Sequence, residues 1–396
     1  MKSLLDKTDT KAPRIGAVDA LRGFALLGIL LMHCLEHFNY FAFPQVEQKW
    51  LIVSDELLRS STRFIFSEKA YAIFALLFGF SFFIQDNNQR KKGRDFRGRF
   101  LWRMVILFGW GCLNSIFYTG DILILFSVFG LLLAAVSRLS DKWVLGIAVV
   151  LFLMPVQWFY AVCGLADPEY APAKPLFSHF YRLTVPVLAQ GGFPEMVQGA
   201  LNSQLYSFLW WVEDGYVFKV AALFLLGLLA GRRDYFNYTR RNLGIWAKVS
   251  WIGILLYFPL WGMMELIPKF FESRVVIKNM HTIFSCYSSF AFLCFLVSVF
   301  LIAYYKSPFG DVLKKLEPYG KMSLTVYITQ SVLGGFVFYN WGLGLLGSTT
   351  ATYSLSIGLA IFAVQYTLAL VWLRYHRQGP LEYIWHKLTW IGSGKK

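Results

Sequence analysis

Ten apolar runs near membrane-spanning length recur along this chain, at residues 16-37, 64-84, 100-118, 122-137, 143-162, 215-231, 246-266, 281-304, 323-346 and 353-373. A helix needs ~20 such residues to cross a hydrocarbon core. Hydrophobic residues make up 57% of the 396 and charged residues only 15%, against roughly 25% charged in soluble domains, and mean hydropathy is +0.50. A soluble domain of this length could not hide so much apolar surface. The expected fold is all-α: a polytopic integral-membrane helical bundle of about 10 transmembrane helices.

The net charge of +15 raises the question of a polyanionic partner, and its placement answers it. With the N-terminus inside, the segments 1-22, 85-103, 137-142, 231-248, 304-322 and 374-396 hold 28 of the 38 Lys and Arg. That bias follows the positive-inside rule for ten spans with both termini cytoplasmic, so nucleic acid is not an expected partner. The strongest cluster runs from Arg90 through Arg97, Arg99 and Arg103 into the third helix. It suits a topology anchor, and equally anionic lipid heads or the phosphates of a soluble ligand. The first apolar run is long and lacks a small-x-small cleavage site, so it reads as a retained helix and not a secretory signal. Five cysteines, without CxxC spacing, read as packing residues.

The chain reads as a single transmembrane domain over 1-396. A five-helix half (1-160) and a second five-helix half (215-396) are joined by an extracytoplasmic loop at 163-214. That loop and residues 38-63 are rich in aromatics, as expected of segments lying in the interface or over a cavity mouth.

Ionisable residues inside such runs mark function by default. Arg22 and His33 lie in the first run, within ~20° of one helix face and about 16 Å apart along the axis. Glu68 and Lys69 open the second run at the level expected for His33. A carboxylate beside an imidazole orients it and raises its basicity, although Glu68 and Lys69 could equally neutralise each other. His37 lies four residues past His33 and could substitute for it or assist it. Arg22 also has Asp19 one turn away as a structural partner. Together with Arg97, Arg99 and Arg103 it could form a cationic mouth for donor phosphates. Lys219, a turn inside its helix, has two readings: an ion pair with Glu213 or Asp214, or a site for an anionic group of a substrate. The polar run Lys321, Ser323, Thr325, Tyr327 and Gln330 reads as helix-to-helix hydrogen bonding. Gly379-Pro380-Leu381-Glu382 reads as a helix stop with a capping turn. The six histidines show no metal-ligand spacing, and no P-loop, GxSxG or strand-borne GxGxxG is present. No metal and no tightly bound cofactor is expected.

The Arg-x10-His spacing of Arg22 and His33 resembles the signature of the membrane acyltransferase-three family, in which the His is the catalytic base and the Arg helps bind the acyl donor. Three further stretches resemble the YeiB family of bacterial inner-membrane proteins: Asp19-Ala-Leu-Arg22-Gly23, Lys69 through Gly79, and Tyr319-Gly320-Lys321 with Gly379-Pro380-Leu381-Glu382. The last pair resembles the domain of unknown function of YeiB-like C-terminal halves. The resemblance implies a multi-pass protein of the bacterial inner (cytoplasmic) membrane, within a transmembrane acyltransferase superfamily that includes heparan-glucosaminide acetyltransferase. At the position of His33, YeiB-like members more usually carry Asn. In the heparan-type enzymes the acting His lies in the outer loop, where His37 is the one candidate here.

The expected activity is acyl transfer, acetyl by default, with acyl-CoA as co-substrate. Its phosphates would be held by Arg22, Arg97, Arg99 and Arg103. The group would pass to a hydroxyl or amine of an extracytoplasmic glycan, lipid or envelope component, with His33 or His37 as base, Glu68 orienting it, and Lys69 or Lys219 offsetting charge. The competing reading is a transporter or flippase using the same polar file. Against it, no Gly- or Pro-broken helices occupy matching positions in the two halves. A ligand-free scaffold is the third. Membrane lipids are expected partners, and a homodimer is among the open oligomeric states.

Overall fold

The computed structural model describes residues 15–167 and 169–392. The basic stretch 1–14 and the terminal lysines at 395 and 396, which contributed to the charge bias, lie outside the described residues. Among the described residues every regular element is helical. Seven helices are long and apolar enough to cross a membrane, or eight when the bent pair Leu205–Glu213 and Tyr216–Arg232 counts as one span. The remaining two expected spans are the shorter helices Leu123–Val136 and Ser323–Phe338, of 14 and 16 residues. At ~1.5 Å per residue neither by itself reaches across a ~30 Å core. The run 323-346 overestimates its helix because the chain turns extended at Tyr339 and loops through Gly344 and Gly347, both at positive φ.

The aromatic segments are helical where loops were expected. Lys49–Phe66 is a helix whose apolar side chains Trp50, Val53 and Leu57 point away from the bundle. The 163-214 region contains the helices Phe177–Gln190, Phe193–Asn202 and Leu205–Glu213.

The first helix, Gly16–Met32, and Tyr216–Arg232 are the most enclosed elements, buried on nearly all sides. Arg240–Phe270, with few buried residues, lies outermost and packs on Arg274–Lys306. Tyr216–Arg232 packs tightly along Lys69–Arg90. Such close approach needs small residues where two backbones meet. A Cβ on Gly79 would lie 1.9 Å from the Phe224 carbonyl oxygen, and one on Gly227 would lie 1.9 Å from that of Leu76. Gly79→Leu is therefore expected to destabilise the bundle by about 1–3 kcal/mol or more through overpacking. A lower thermal midpoint in detergent checks this, with Gly146→Leu, which meets open space, leaving the midpoint unchanged.

Three acids, Asp55 buried and Glu382 and Glu213 half-buried, start helices that belong to other parts of the chain. Asp55 accepts from the Thr352 backbone N–H at 2.7 Å, at the start of Ala351–Tyr375. Glu382 accepts from Leu324 and Thr325 N–H at 2.6 and 3.1 Å, at the start of Ser323–Phe338. Glu213 accepts from Leu176 and Phe177 N–H, both at 3.0 Å. Carboxylates satisfy the free N–H groups and oppose the helix dipole there. The Gly379-Pro380-Leu381-Glu382 stretch thus begins a helix, Pro380–Thr389, and caps another; it does not end one.

Candidate functional site

The first helix changes winding at its far end. Residues His33–His37 form a π turn, closed by the Phe38 N–H donating to the His33 carbonyl at 2.8 Å. Such insertions recur at functional sites. The wider turn sets the His33 and His37 rings edge to face at 5.5 Å. His33 lies 4.4 Å from the Tyr118 ring and 6.4 Å from the Tyr327 ring, centroid to centroid, and is 8% exposed with its Nδ1 lacking a partner. Both histidines line a cavity of about 220 Å³ that also takes in Glu36, Glu68, Tyr118 and Trp211. His37 additionally faces an adjoining cavity with Tyr40, Tyr181 and Tyr206, which places it nearer that cavity than His33.

Glu68 does not orient either histidine through a hydrogen bond. It stands at the break between Lys49–Phe66 and Lys69–Arg90, at φ 61, and this left-handed turn directs its carboxylate toward other helices. One oxygen accepts from Ser285 at 3.0 Å. The other accepts from Lys219 Nζ at 2.8 Å and Ser289 at 2.9 Å, and Lys219 also donates to Ser289. Lys219 is fully buried, so its partner is Glu68 and neither Glu213 nor Asp214. Glu213 is occupied by the backbone N–H groups described above, and Asp214 pairs with Lys278 at 3.3 Å. The reason is the 85° bend between Leu205–Glu213 and Tyr216–Arg232, through Gly215 at φ +79, which turns the two acids away from the lysine that follows. Lys69 does not neutralise Glu68 directly; its ammonium sits over the Phe292 ring at 5.6 Å. A second ion pair, Glu36 with Arg63 at 2.6 Å, lines the histidine cavity. It escaped sequence reading because Arg63 comes from a segment read as loop.

At the other end of the first helix, Arg22 bonds Asp19 at 3.0 Å and Ser81 at 2.6 Å. It lines a cavity of about 220 Å³ with Arg103, Lys321, Gln85 and Glu382. A further cavity of about 450 Å³, also lined by Arg22 and Arg103, continues toward Asp19, Gln89 and His386. Of the three arginines expected beside Arg22, only Arg103 is there, with its guanidinium 3.5 Å over the Trp385 ring. Arg99 donates to the Ile391 carbonyl at 2.8 Å. Arg97 is exposed and paired with Asp95 at 2.8 Å, and its guanidinium holds the Asp95 carboxyl well below the usual carboxylate range. Arg97 sits in the first turn and Arg99 beside the C-terminal helix, so neither side chain reaches inward. The polar run spans two elements and divides in two: Thr325 bonds Glu382 at 2.6 Å as structure, whereas Lys321, at the end of Glu317–Lys321, and Ser323 and Tyr327, on Ser323–Phe338, line the Arg22 cavity. Among the described residues no group of three or more His, Cys, Asp or Glu is placed to hold a metal ion.

Residues 230–392 match a family model described as a protein of unknown function, DUF418. The chain is 24% identical to the uncharacterized protein YxaH of Bacillus subtilis (strain 168), over 96% of this chain and 94% of the relative. It is also 24% identical to an uncharacterized 39.9 kDa protein in the amylase 3' region of Bacillus acidopullulyticus, over 95% and 94%. The uncharacterized protein YeiB of Escherichia coli (strain K12) is again 24% identical, over 95% and 96%. No solved structure matches the chain. This multi-helical, membrane-type chain is thus similar to DUF418 at its C-terminal end and to YxaH and YeiB along nearly its whole length.

Proposed function

We propose that this protein is an integral-membrane acyltransferase with an acyl-CoA-type donor and an extracytoplasmic acceptor. The observation that carries the reading is the meeting of two unlike cavities inside one bundle. A cationic one holds Arg22 and Arg103, and one holding the imidazole pair His33 and His37 adjoins it at Tyr327. With the basic loops on the cytoplasmic side of a bacterial inner membrane, the Arg22 end would open to the cytoplasm and the His33 end to the outside.

The chemistry then divides by compartment. Arg22 and Arg103 take donor phosphates as charge-assisted hydrogen-bond donors, with Lys321 beside them. The thioester end reaches the histidine cavity, about 16 Å along the helix from Arg22. An acceptor O–H or N–H attacks the thioester carbonyl while one imidazole nitrogen takes its proton. The carbon–sulfur bond breaks, and the thiolate leaves and is protonated by the imidazolium, giving ester or amide plus free thiol. His33 is the inner base and His37 its neighbour on the acceptor side, where the adjoining tyrosine-lined cavity admits the acceptor. Glu68, held from behind by Lys219, forms a fixed wall of this site and takes no proton.

Thiol release from acetyl-CoA by the purified protein in nanodiscs, with envelope glycans and lipids supplied, tests the reading. Arg22→Ala is expected to raise the donor concentration needed for half-maximal rate about 10-fold or more while the saturated rate changes little, because a phosphate contact remote from the reacting atoms contributes mainly uniform binding. Absence of both thiol release and acyl-CoA binding in the wild type overturns it.

One observation favours the transporter reading. Two interrupted helices, broken at Glu68 and at Gly215, lie on either side of the buried Glu68–Lys219 pair, whereas no such breaks were expected from the sequence. Paired discontinuities around a charged site are a feature of secondary transporters. A donor that is bound and recovered intact on the far side of a sealed vesicle decides for transport.

A further inference from the structure

We infer that Tyr327 is the partition between the cytoplasm-side and outer cavities and governs what crosses from one to the other. It is the one residue shared by the linings of the Arg22 cavity and the His33 cavity among the described residues. On two neighbouring elements the lining changes cavity within a few residues. Tyr71 faces the His33 cavity and Phe74 the Arg22 cavity, a separation of ~4.5 Å along their helix. Ile122 faces the former and its neighbour Leu123 the latter. The wall is therefore about one aromatic ring thick, and the Tyr327 ring occupies it.

The phenol is fully buried and is anchored at its tip, where its oxygen accepts from the Ile122 backbone N–H at 3.2 Å. That N–H lies at the start of Leu123–Val136, so the anchor joins the septum to a helix end and not to a mobile side chain. On the helix that carries it, the first turn is held by Glu382, and the side chains one turn back, Ser323 and Leu324, face the Arg22 cavity. Rotation of one side chain away from Ile122 joins the two spaces without displacing a helix. The inference concerns passage alone, so it stands whether the group that passes is transferred or transported.

Accessibility from opposite faces tests it without turnover. Ser323→Cys places a thiol in the Arg22 cavity. A membrane-impermeant quaternary-ammonium methanethiosulfonate is applied to right-side-out and to inside-out sealed vesicles, with labelling of the parent protein subtracted for its native thiols. With Tyr327 present, modification is expected from one face only. Adding Tyr327→Ala is expected to open the second face, with modification there at least about 10-fold faster. Tyr327→Phe, which keeps the ring and removes the hydroxyl anchor, is expected to give a smaller increase and decides the matter alone if Tyr327→Ala does not fold. Modification of Ser323→Cys from both faces at similar rates, from neither face, or with no far-face increase in either Tyr327 variant overturns the inference. Any of these results leaves the thiol-release assay unaffected, so failure of the partition is distinguishable from failure of acyl transfer.

Discussion

His33→Ala is expected to lower acyl-CoA-dependent thiol release by about 10²–10⁴-fold, the usual contribution of a positioned general base, with the bundle still folded. The variant removes a ring that touches Tyr118 and His37 but donates no hydrogen bond through its Nδ1, so catalysis is the larger casualty. Donor affinity should be unchanged, since Arg22 and Arg103 lie in the other cavity. His37→Ala, at the same edge-to-face contact, separates the two roles. A smaller loss than in His33→Ala, with a higher requirement for acceptor, assigns the base to His33; the reverse order assigns it to His37. Rates within 10-fold of wild type in both variants would remove the imidazole pair from the mechanism.

Lys219→Met is expected to destabilise the bundle strongly. It leaves the Glu68 carboxylate in the bundle without its cation, keeping only the hydroxyls of Ser285 and Ser289. Removing one partner of a buried pair costs about 3–5 kcal/mol, whereas replacing both is often neutral. The double variant Glu68→Gln with Lys219→Met should therefore recover most of the loss. Thermal unfolding in detergent checks both, and a single Lys219→Met variant as stable as wild type would mean that the pair is not formed. Because Glu68 borders the histidine cavity, the recovered double variant also separates a structural wall from a proton-transfer role. Restored stability with wild-type thiol release supports the wall.

The apolar runs made the helical, membrane-type class legible, since each of them is mostly helical in the structure. Their lengths were less legible, because apolar loop residues extend a run past the end of its helix, as beyond Phe338. For the site, the pairing of Arg22 with Asp19 and the approach of His37 to His33 follow from helical spacing, which is local. The assignment of partners to Glu68 and Lys219 was not legible. Each stands beside a chain interruption with positive φ, and a rotation there redirects the side chain toward residues 151 positions away in the chain.

Local chemistry by itself determined where the long apolar helices lie, which segments are basic, and that ionisable groups are held within the apolar runs, because hydrophobicity and 3.6-residue periodicity act over a few turns. Only the tertiary structure decided that Glu68 serves Lys219 and not His33, that of the three arginines expected beside Arg22 it is Arg103 that joins it, and that Tyr327 stands between the two cavities. Those outcomes depend on how helices distant in sequence cross and break, and a buried charge or phenol takes the partner that this packing brings within hydrogen-bond reach.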